Sequence, residues 1–243
     1  MDRRFFIDQP VSGDSIQLSG AEGNHIAKVL RASVGESVIV FDGSGFEFTA
    51  EITSIGRGTI DLTILERREV SREATRRLTL GVALPKGDRQ RTLIEKCVEL
   101  GVTALVPLKA SRGVAVPKES ALERARRGVI EASKQCGRNV LMAIAEPQTV
   151  AEFVNAADES AVRWLAHPPA APPCPAESLA VTKRSAATRQ EIFVAIGPEG
   201  GFDESEVQTA LAADWQRVGF GNSILRIETA ALAAAAYWLV NPV

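Results

Sequence analysis

The sequence predicts an α/β protein, with a mostly parallel sheet covered by helices on both faces over roughly residues 75–243 and a small β-rich unit ahead of it. Three observations carry this reading. After Arg77, short apolar runs of strand length alternate with amphipathic runs of helical period, the pattern of parallel strands joined by crossover helices. Between residues 37 and 65 the rhythm is instead β-branched alternation broken by glycine turns. Residues 66–77, charged and almost free of large apolar side chains, separate the two.

In the first unit, Phe5-Phe6-Ile7 and Ser15-Ile16-Gln17-Leu18 are strand candidates. Ser19-Gly20-Ala21-Glu22 has the Ser and Glu spacing of a capping box, which predicts a helix running to about Arg31. Strands are expected at 37–41, 46–55 and 59–65, joined by Asp42-Gly43-Ser44-Gly45 and Gly56-Arg57-Gly58, a meander suited to a small barrel. The charged run reads as a linker, its first part open to being an exposed edge strand. The domains are accordingly placed at residues 1–72 and 73–243.

In the second unit, residues 78–84 form a strand ending in Pro85-Lys86-Gly87-Asp88. Asp88 is expected to cap a helix that buries Leu93, Ile94, Cys97 and Val98 and stops at Gly101. A strand at 102–107 and a loop holding Lys109 and Arg112 lead to a helix over 119–136, with Leu122, Ala125, Val129 and Cys136 near one face and Gly137 as its stop. Thr149-Val150-Ala151-Glu152 offers a second capping box. Strands follow at 161–166 and 192–196, separated by a long surface loop that opens with the proline-rich residues 168–175. Helices from Asp203 and from Glu228 complete the chain.

Composition bounds the function. A hydrophobic content of 45% over 243 residues supports substantial cores. The most apolar stretch, residues 229–240, falls short of the roughly 20 residues of a membrane-spanning helix. Met1-Asp2-Arg3-Arg4-Phe5-Phe6 lacks the apolar core of a signal peptide, so a cytoplasmic protein is expected. Cys97, Cys136 and Cys174 are far apart and only His25 and His167 accompany them, so no metal is expected. The net charge of -2 conceals an asymmetry: residues 86–138 hold 12 Lys+Arg against 6 Asp+Glu, and residues 139–243 hold 6 against 12. The basic half is either a phosphate-binding field or a pair of solvated helix faces.

The chemistry centres on two runs, Ile196-Gly197-Pro198-Glu199-Gly200-Gly201-Phe202 and Gly219-Phe220-Gly221-Asn222-Ser223-Ile224-Leu225-Arg226-Ile227-Glu228-Thr229-Ala230. The first follows a strand, and its glycines let backbone approach a ligand. It lacks both the Lys-Ser/Thr of a P-loop and the Rossmann spacing, which excludes the usual triphosphate and dinucleotide cradles. What remains is a backbone cradle suited to an adenosine-like ligand, or else a purely structural turn. The second run repeats the strand, glycine loop and helix arrangement, and paired loops of this kind at the carboxyl ends of strands are where open α/β sheets bind small molecules.

Taken with Arg3-Arg4-Phe5-Phe6, His25-Ile26-Ala27-Lys28-Val29-Leu30-Arg31, Glu95-Lys96-Cys97-Val98-Glu99-Leu100-Gly101-Val102 and Glu131-Ala132-Ser133-Lys134-Gln135-Cys136-Gly137-Arg138, these runs resemble the RsmE-type 16S ribosomal RNA uridine-N3 methyltransferases, within the SPOUT superfamily. The resemblance covers nearly the whole chain in the family's order. It implies a PUA-like RNA-binding β-barrel at residues 1–72 and a SPOUT methyltransferase domain at 73–243 with a deep trefoil knot, for which periodicity carries no signal. It also implies a homodimer whose paired knot regions form the active sites, acting on 16S ribosomal RNA of the small subunit. S-adenosylmethionine is then expected on three loops, with Leu165, His167, Ile196, Gly197, Pro198, Glu199, Gly200, Gly201, Phe220, Gly221, Ile224, Leu225 and Arg226 as its contacts. Two departures stand out: Ser111-Arg112-Gly113 has glycine where the family has a hydroxyl, and residues 168–175 are unusually rich in proline.

Methyl transfer from a sulfonium needs alignment rather than a metal. Uridine N3 carries a proton at neutral pH, so the site must remove it or stabilise the anion left on O2 and O4. A guanidinium suits the second task because it stays charged and donates in a planar fork. Arg138 and Arg226 are the leading candidates, with Arg89 and Arg4 behind them. Glu199 is the expected carboxylate, with Glu228 beside it, although Arg226 could simply brace the loop by pairing with either. Phosphate contacts are expected from Arg3, Arg4, Lys28, Arg31, Lys86, Arg89 and Arg112. The competing readings are a non-catalytic RNA-binding protein with a structural glycine loop, another nucleotide-using α/β enzyme, and a SPOUT methyltransferase acting on a different base.

Overall fold

The computed structural model describes residues 3–19, 33–113, 117–167, 191–221 and 223–240. The chain divides into two compact units, Met1–Glu73 with Ile130–Leu141, and Ala74–Val129 with Met142–Val243.

The first unit is a five-stranded sheet of β1 (Arg4–Phe6), β2 (Ser15–Leu18), β3 (Ser37–Phe41), β4 (Phe46–Ile55) and β5 (Ile60–Glu69), in the order β1-β3-β4-β5-β2. β1 runs parallel to β3 and the other pairs are antiparallel. Its core follows from the period of two: Val38 and Val40, Phe48, Ala50 and Ile52, and Ile60 and Leu62 bury against Phe5. Among the described residues the ladder leaves β1 and β2 as edges, so the sheet is a half-barrel rather than a closed one. β5 continues through Glu69, pairing Phe46 with Glu69 and Thr49 with Glu66. The first third of the expected linker, residues 66–69, is therefore strand, as the edge-strand alternative allowed, since a ladder needs backbone groups and not apolar side chains. The helix expected to end near Arg31 lies outside the described residues, along with His25, Lys28 and Arg31.

This unit holds a buried ionic cluster. The Glu47 side chain, 6% exposed, accepts from Arg4 at 2.9 Å, Arg72 at 3.2 Å and Arg68 at 3.3 Å. Burial alone would raise the Glu47 carboxyl's pKa, but hydrogen bonds and charge from Arg4 and Arg72 outweigh it and hold it below the ordinary glutamate value. Arg4 also donates to Asn139 Oδ1 at 2.5 Å and lies over the Phe41 ring. Arg138 donates through Nε to Glu73 Oε1 at 2.9 Å and through a second nitrogen to Oε2, and Asn139 donates to the Val70 carbonyl at 2.9 Å.

The second unit is built on a parallel sheet of β6 (Arg77–Val82), β7 (Ala104–Lys109), β8 (Ala143–Ile144), β10 (Val162–Ala166), β11 (Glu191–Ile196) and β12 (Gln216–Val218), in the order β12-β10-β11-β6-β7-β8, with β9 (Gln148–Thr149) also pairing with β7. Every pairing is parallel. On one face, Leu165 and Ala195 join Phe153 of α3 (Val150–Ala156) and Val207 and Ala210 of α4 (Glu204–Ala212) in a continuous core. Gly81 makes this close approach possible, because a Cβ there would stand 2.5 Å from the Phe153 ring. Residues of opposite parity face the other way, where Trp164 meets Trp238 of the π-helical turn (Ala236–Val240) that extends α5 (Ile227–Ala235). α5 buries Ala230, Ala231, Ala234 and Ala235 and packs on α1 (Asp88–Glu99).

Local signals set most helix ends. The Thr149–Glu152 capping box opens α3, and Asp203 with Glu206 forms another at α4. α2 (Glu119–Cys136) ends at Gly137, whose φ is 84°. α1 departs from expectation: Gly87, at φ 63°, is its N-cap, and Asp88 is instead the first helical residue, its charge near the positive end of the helix. The long loop after β10 falls outside the described residues, and so does the threading on which a knot would depend. No helix among the described residues is long and apolar enough to cross a membrane.

Candidate functional site

β10, β11 and β12 lie side by side, and a cavity of about 440 Å³ opens beyond their carboxyl ends. Its size falls in the ~300–1,000 Å³ range of small-molecule pockets. The position follows from the topology: β12 lies outside β10 while β11 lies inside it, so the loops leaving the three strands diverge around a crevice.

The wall after β11 is the glycine run. Gly197 packs so closely on Phe202 that a Cβ would stand 3.1 Å from its ring. Gly201 closes a turn by donating to the Pro198 carbonyl at 2.8 Å, with φ at 69° and open space where a side chain would be. The run is anchored by α4, because Glu206 accepts from the Asp203 amide and from the Ser111 amide, both at 2.8 Å. Asp203 is held at a pKa of about 2, first by the Glu206 amide and then by the Ser205 and Ser111 hydroxyls. Arg112 completes this wall by donating to the Gly200 carbonyl at 3.1 Å. The next residue, Gly113, turns so tightly on Ala110 that a Cβ would meet its carbonyl oxygen at 2.9 Å. The glycine in that segment thus serves the turn.

The opposite wall runs from β12 into α5. Phe220 leans on Trp164, Gly221 takes φ 106° facing open space, and Ile224 is 80% exposed at the rim. Arg226 is the N-cap of α5 and makes no side-chain capping bond, which leaves the first amides of the helix without a side-chain cap. His167 lies at the end of β10, its amide donating to the Val218 carbonyl at 3.3 Å and its Nδ1 buried without a partner. Burial lowers its pKa below the ordinary imidazole value, Arg217 adds to the lowering, Glu204 opposes it and Arg112 reinforces it.

Of the residues expected to hold a cofactor, all but Leu165 line this cavity. Leu165 is fully buried in the core with Phe153 and Trp215, and Ala166, one residue on, takes the cavity side. The sequence reading assigned Arg112 to phosphate contacts without placing it in this cavity. Its position just past the carboxyl end of β7 is the signal that points to it.

The three expected catalytic residues part company. Arg226 lines the cavity, is exposed, and among the described residues has no ion pair, so no bracing salt bridge to Glu199 or Glu228 exists. Glu199 lines it as well but pairs with Arg89 at 3.1 Å. Arg138 does not line it: its side chain is 4% exposed and bound to Glu73, because a buried guanidinium needs a carboxylate. Glu228 is outside the lining too.

The expected phosphate contacts are likewise divided. Lys86 is exposed with no ion pair among the described residues, whereas Arg3 pairs with Glu36 at 2.9 Å. Arg4 is not a surface contact, since Glu47 and Asn139 engage it inside the half-barrel.

The residues present fit an adenosine-bearing amino-acid ligand. The glycine backbones supply donors and acceptors for a planar heterocycle, Leu225 and Ile196 supply apolar contact, and the uncapped α5 amides can hold a carboxylate.

Comparison with known proteins agrees with this geometry. The RNA methyltransferase domain family matches residues 72–239, and the RNA methyltransferase PUA domain family matches residues 18–65. Ribosomal RNA small subunit methyltransferase E of Synechocystis is 34% identical over 91% of this chain and 72% of its own length. The protein of the same name from Bacillus subtilis is 27% identical over 96% of this chain and 94% of its own. The crystal structure of that methyltransferase from Neisseria gonorrhoeae, bound to S-adenosyl methionine, superposes with a TM-score of 0.87 at 30% identity, covering 97% of this chain and 96% of that one. With a family model matched over residues 72–239 and a relative 34% identical over 91% of it, the chain belongs to the ribosomal RNA small subunit methyltransferase E family of SPOUT-type RNA methyltransferases.

Proposed function

We propose that this protein transfers a methyl group from S-adenosylmethionine to N3 of a specific uridine in 16S ribosomal RNA of the small subunit, as a cytoplasmic homodimer with a knotted C-terminal domain. The observation that carries the reading is the cavity at the ends of β10, β11 and β12, where glycine backbone meets an arginine that has no ion pair among the described residues. The resemblance to uridine-N3 enzymes supports the choice of base, and the match of residues 18–65 to an RNA methyltransferase PUA domain supports an RNA partner.

Ile196, Gly197, Pro198, Gly200 and Gly201 would hold the donor on one side and Phe220, Gly221, Ile224 and Leu225 on the other. The donor supplies an electrophilic methyl on a sulfonium, so that the S–C bond breaks as N3–C forms. Arg226, with no carboxylate to neutralise it, stabilises the charge that gathers on O2 and O4 when N3 loses its proton. Glu199, steadied by Arg89, stands at the rim to receive that proton directly or through water. Arg112, tied to the Gly200 carbonyl, keeps the remaining donors of its fork for RNA phosphate.

The test is isothermal calorimetry of the purified chain with S-adenosylmethionine, followed by transfer of labelled methyl to small-subunit particles. Binding and transfer to one uridine are expected. Binding without transfer would remove the uridine assignment, and no binding would favour a non-catalytic RNA-binding protein. Light scattering of the same sample should give twice the chain mass of 26.0 kDa.

A further inference from the structure

The cavity holds more positive than negative charge before any ligand enters. Arg112 and Arg226 line it, and Glu199, the one lining carboxylate among the described residues, is already paired with Arg89. A sulfonium brings a further positive charge, whereas the thioether left after transfer brings none. His167 is the titratable side chain in this lining whose charge changes near neutral pH.

The surroundings of His167 fix which form it takes. Its Nδ1 is buried and has no partner, so a proton placed there would be an orphaned donor inside the protein. The bare Nδ1 costs less, which leaves the hydrogen on Nε2. Charging the ring therefore means protonating the buried nitrogen beside Arg217 of β12 and Arg112 of the loop after β7, with only Glu204 of α4 to compensate.

We propose that His167 is a specificity-determining residue that distinguishes the charged methyl donor from its neutral thioether product. As a neutral imidazole it admits the sulfonium, and a proton on it disfavours the sulfonium while leaving the thioether almost untouched. This rests on the methyl-transfer reading. By linkage, bound donor must depress the His167 titration further than bound product does, and each unit of that difference is about a tenfold change in relative affinity under acidic conditions.

The experiment is calorimetry of the full chain with S-adenosylmethionine and with S-adenosylhomocysteine at pH 5.5 and pH 7.5, for the native protein and for His167→Asn. The native donor affinity should fall several-fold on acidification, against no more than a slight change for the thioether, and the substitution should erase the difference. A parallel loss for both ligands, or a donor effect that survives in the variant, overturns the proposal. The chain has 2 histidines, so imidazole NMR of the native protein, with His25→Gln to assign the signals, reads the same quantity without relying on the His167 variant. The His167 signal should titrate at lower pH in the donor complex than in the product complex, and equal titration in both overturns the idea. If neither ligand binds at pH 7.5, the methyl-transfer reading itself falls and His167 loses this role with it.

Discussion

Arginine does opposite work in the two units. In the half-barrel, Arg4, Arg68 and Arg72 converge on the buried Glu47 carboxylate, and the buried Arg138 grips Glu73. In the cavity of the second unit, among the described residues, Arg226 has no ion pair and Arg112 bonds only a backbone carbonyl. A guanidinium with a buried carboxylate partner has no charge left for a ligand. One held at a cavity wall without a partner keeps its full field, and removing it costs the fold little. The contrast shows that arginine in a family motif is not by itself a sign of catalysis; the position of the nearest carboxylate decides.

Substitutions can break this contrast. Arg226→Ala should slow methyl transfer by roughly 10²–10³-fold while changing stability by no more than about 0.5 kcal/mol. Transfer kinetics and denaturant unfolding on one preparation check both halves, and equal losses would give Arg226 a structural role. Arg138→Ala should do the reverse. It leaves Glu73 without its partner, so stability falls by about 3 kcal/mol while transfer per folded molecule stays near native.

Acid should find the same division. Glu47 is depressed below its ordinary value, so its contribution to stability is fully present above about pH 4.5, its unfolded value, and is lost as pH falls through the lower folded value. Glu47→Gln should be less stable at neutral pH, and its unfolding free energy should be flatter with pH across that acidic window. Urea titrations at several pH values measure the difference.

The smallest effect is expected at Gly201→Ala. Its left-handed backbone makes the substitution cost about 1 kcal/mol. The methyl group enters the open space of the cavity, so donor affinity should fall on the order of tenfold by calorimetry.

The sequence made visible whatever was local. The Thr149 and Asp203 capping boxes, the stop at Gly137 and the glycine run after β11 each depend on residues within a few positions of one another. What it hid depends on distance or on parity. Arg4 meets a carboxylate 43 positions away and Arg138 one 65 away, and no spacing rule connects such pairs. Leu165 and Ala166 are neighbours on one strand, and which of them faces the cavity follows only from how β10 packs. Residues 66–69 read as linker or exposed edge strand because their side chains are polar, and the ladder with β4, which uses only their backbone, decides for the strand. The excess of positive charge over residues 86–138 is also partly spent locally, since Arg126 pairs with Glu119 and Glu146, and Lys96 with Glu95 and Glu99.

The central claim is that the cavity beyond β10, β11 and β12 methylates one uridine of 16S ribosomal RNA. Mass spectrometry of that RNA from cells lacking the protein tests it most directly, with complementation by the native chain and by Arg226→Ala. The account predicts the loss of a single N3-methylated uridine, restored by the native chain and not by the variant. An unchanged set of methylated nucleotides in the deletion would contradict it.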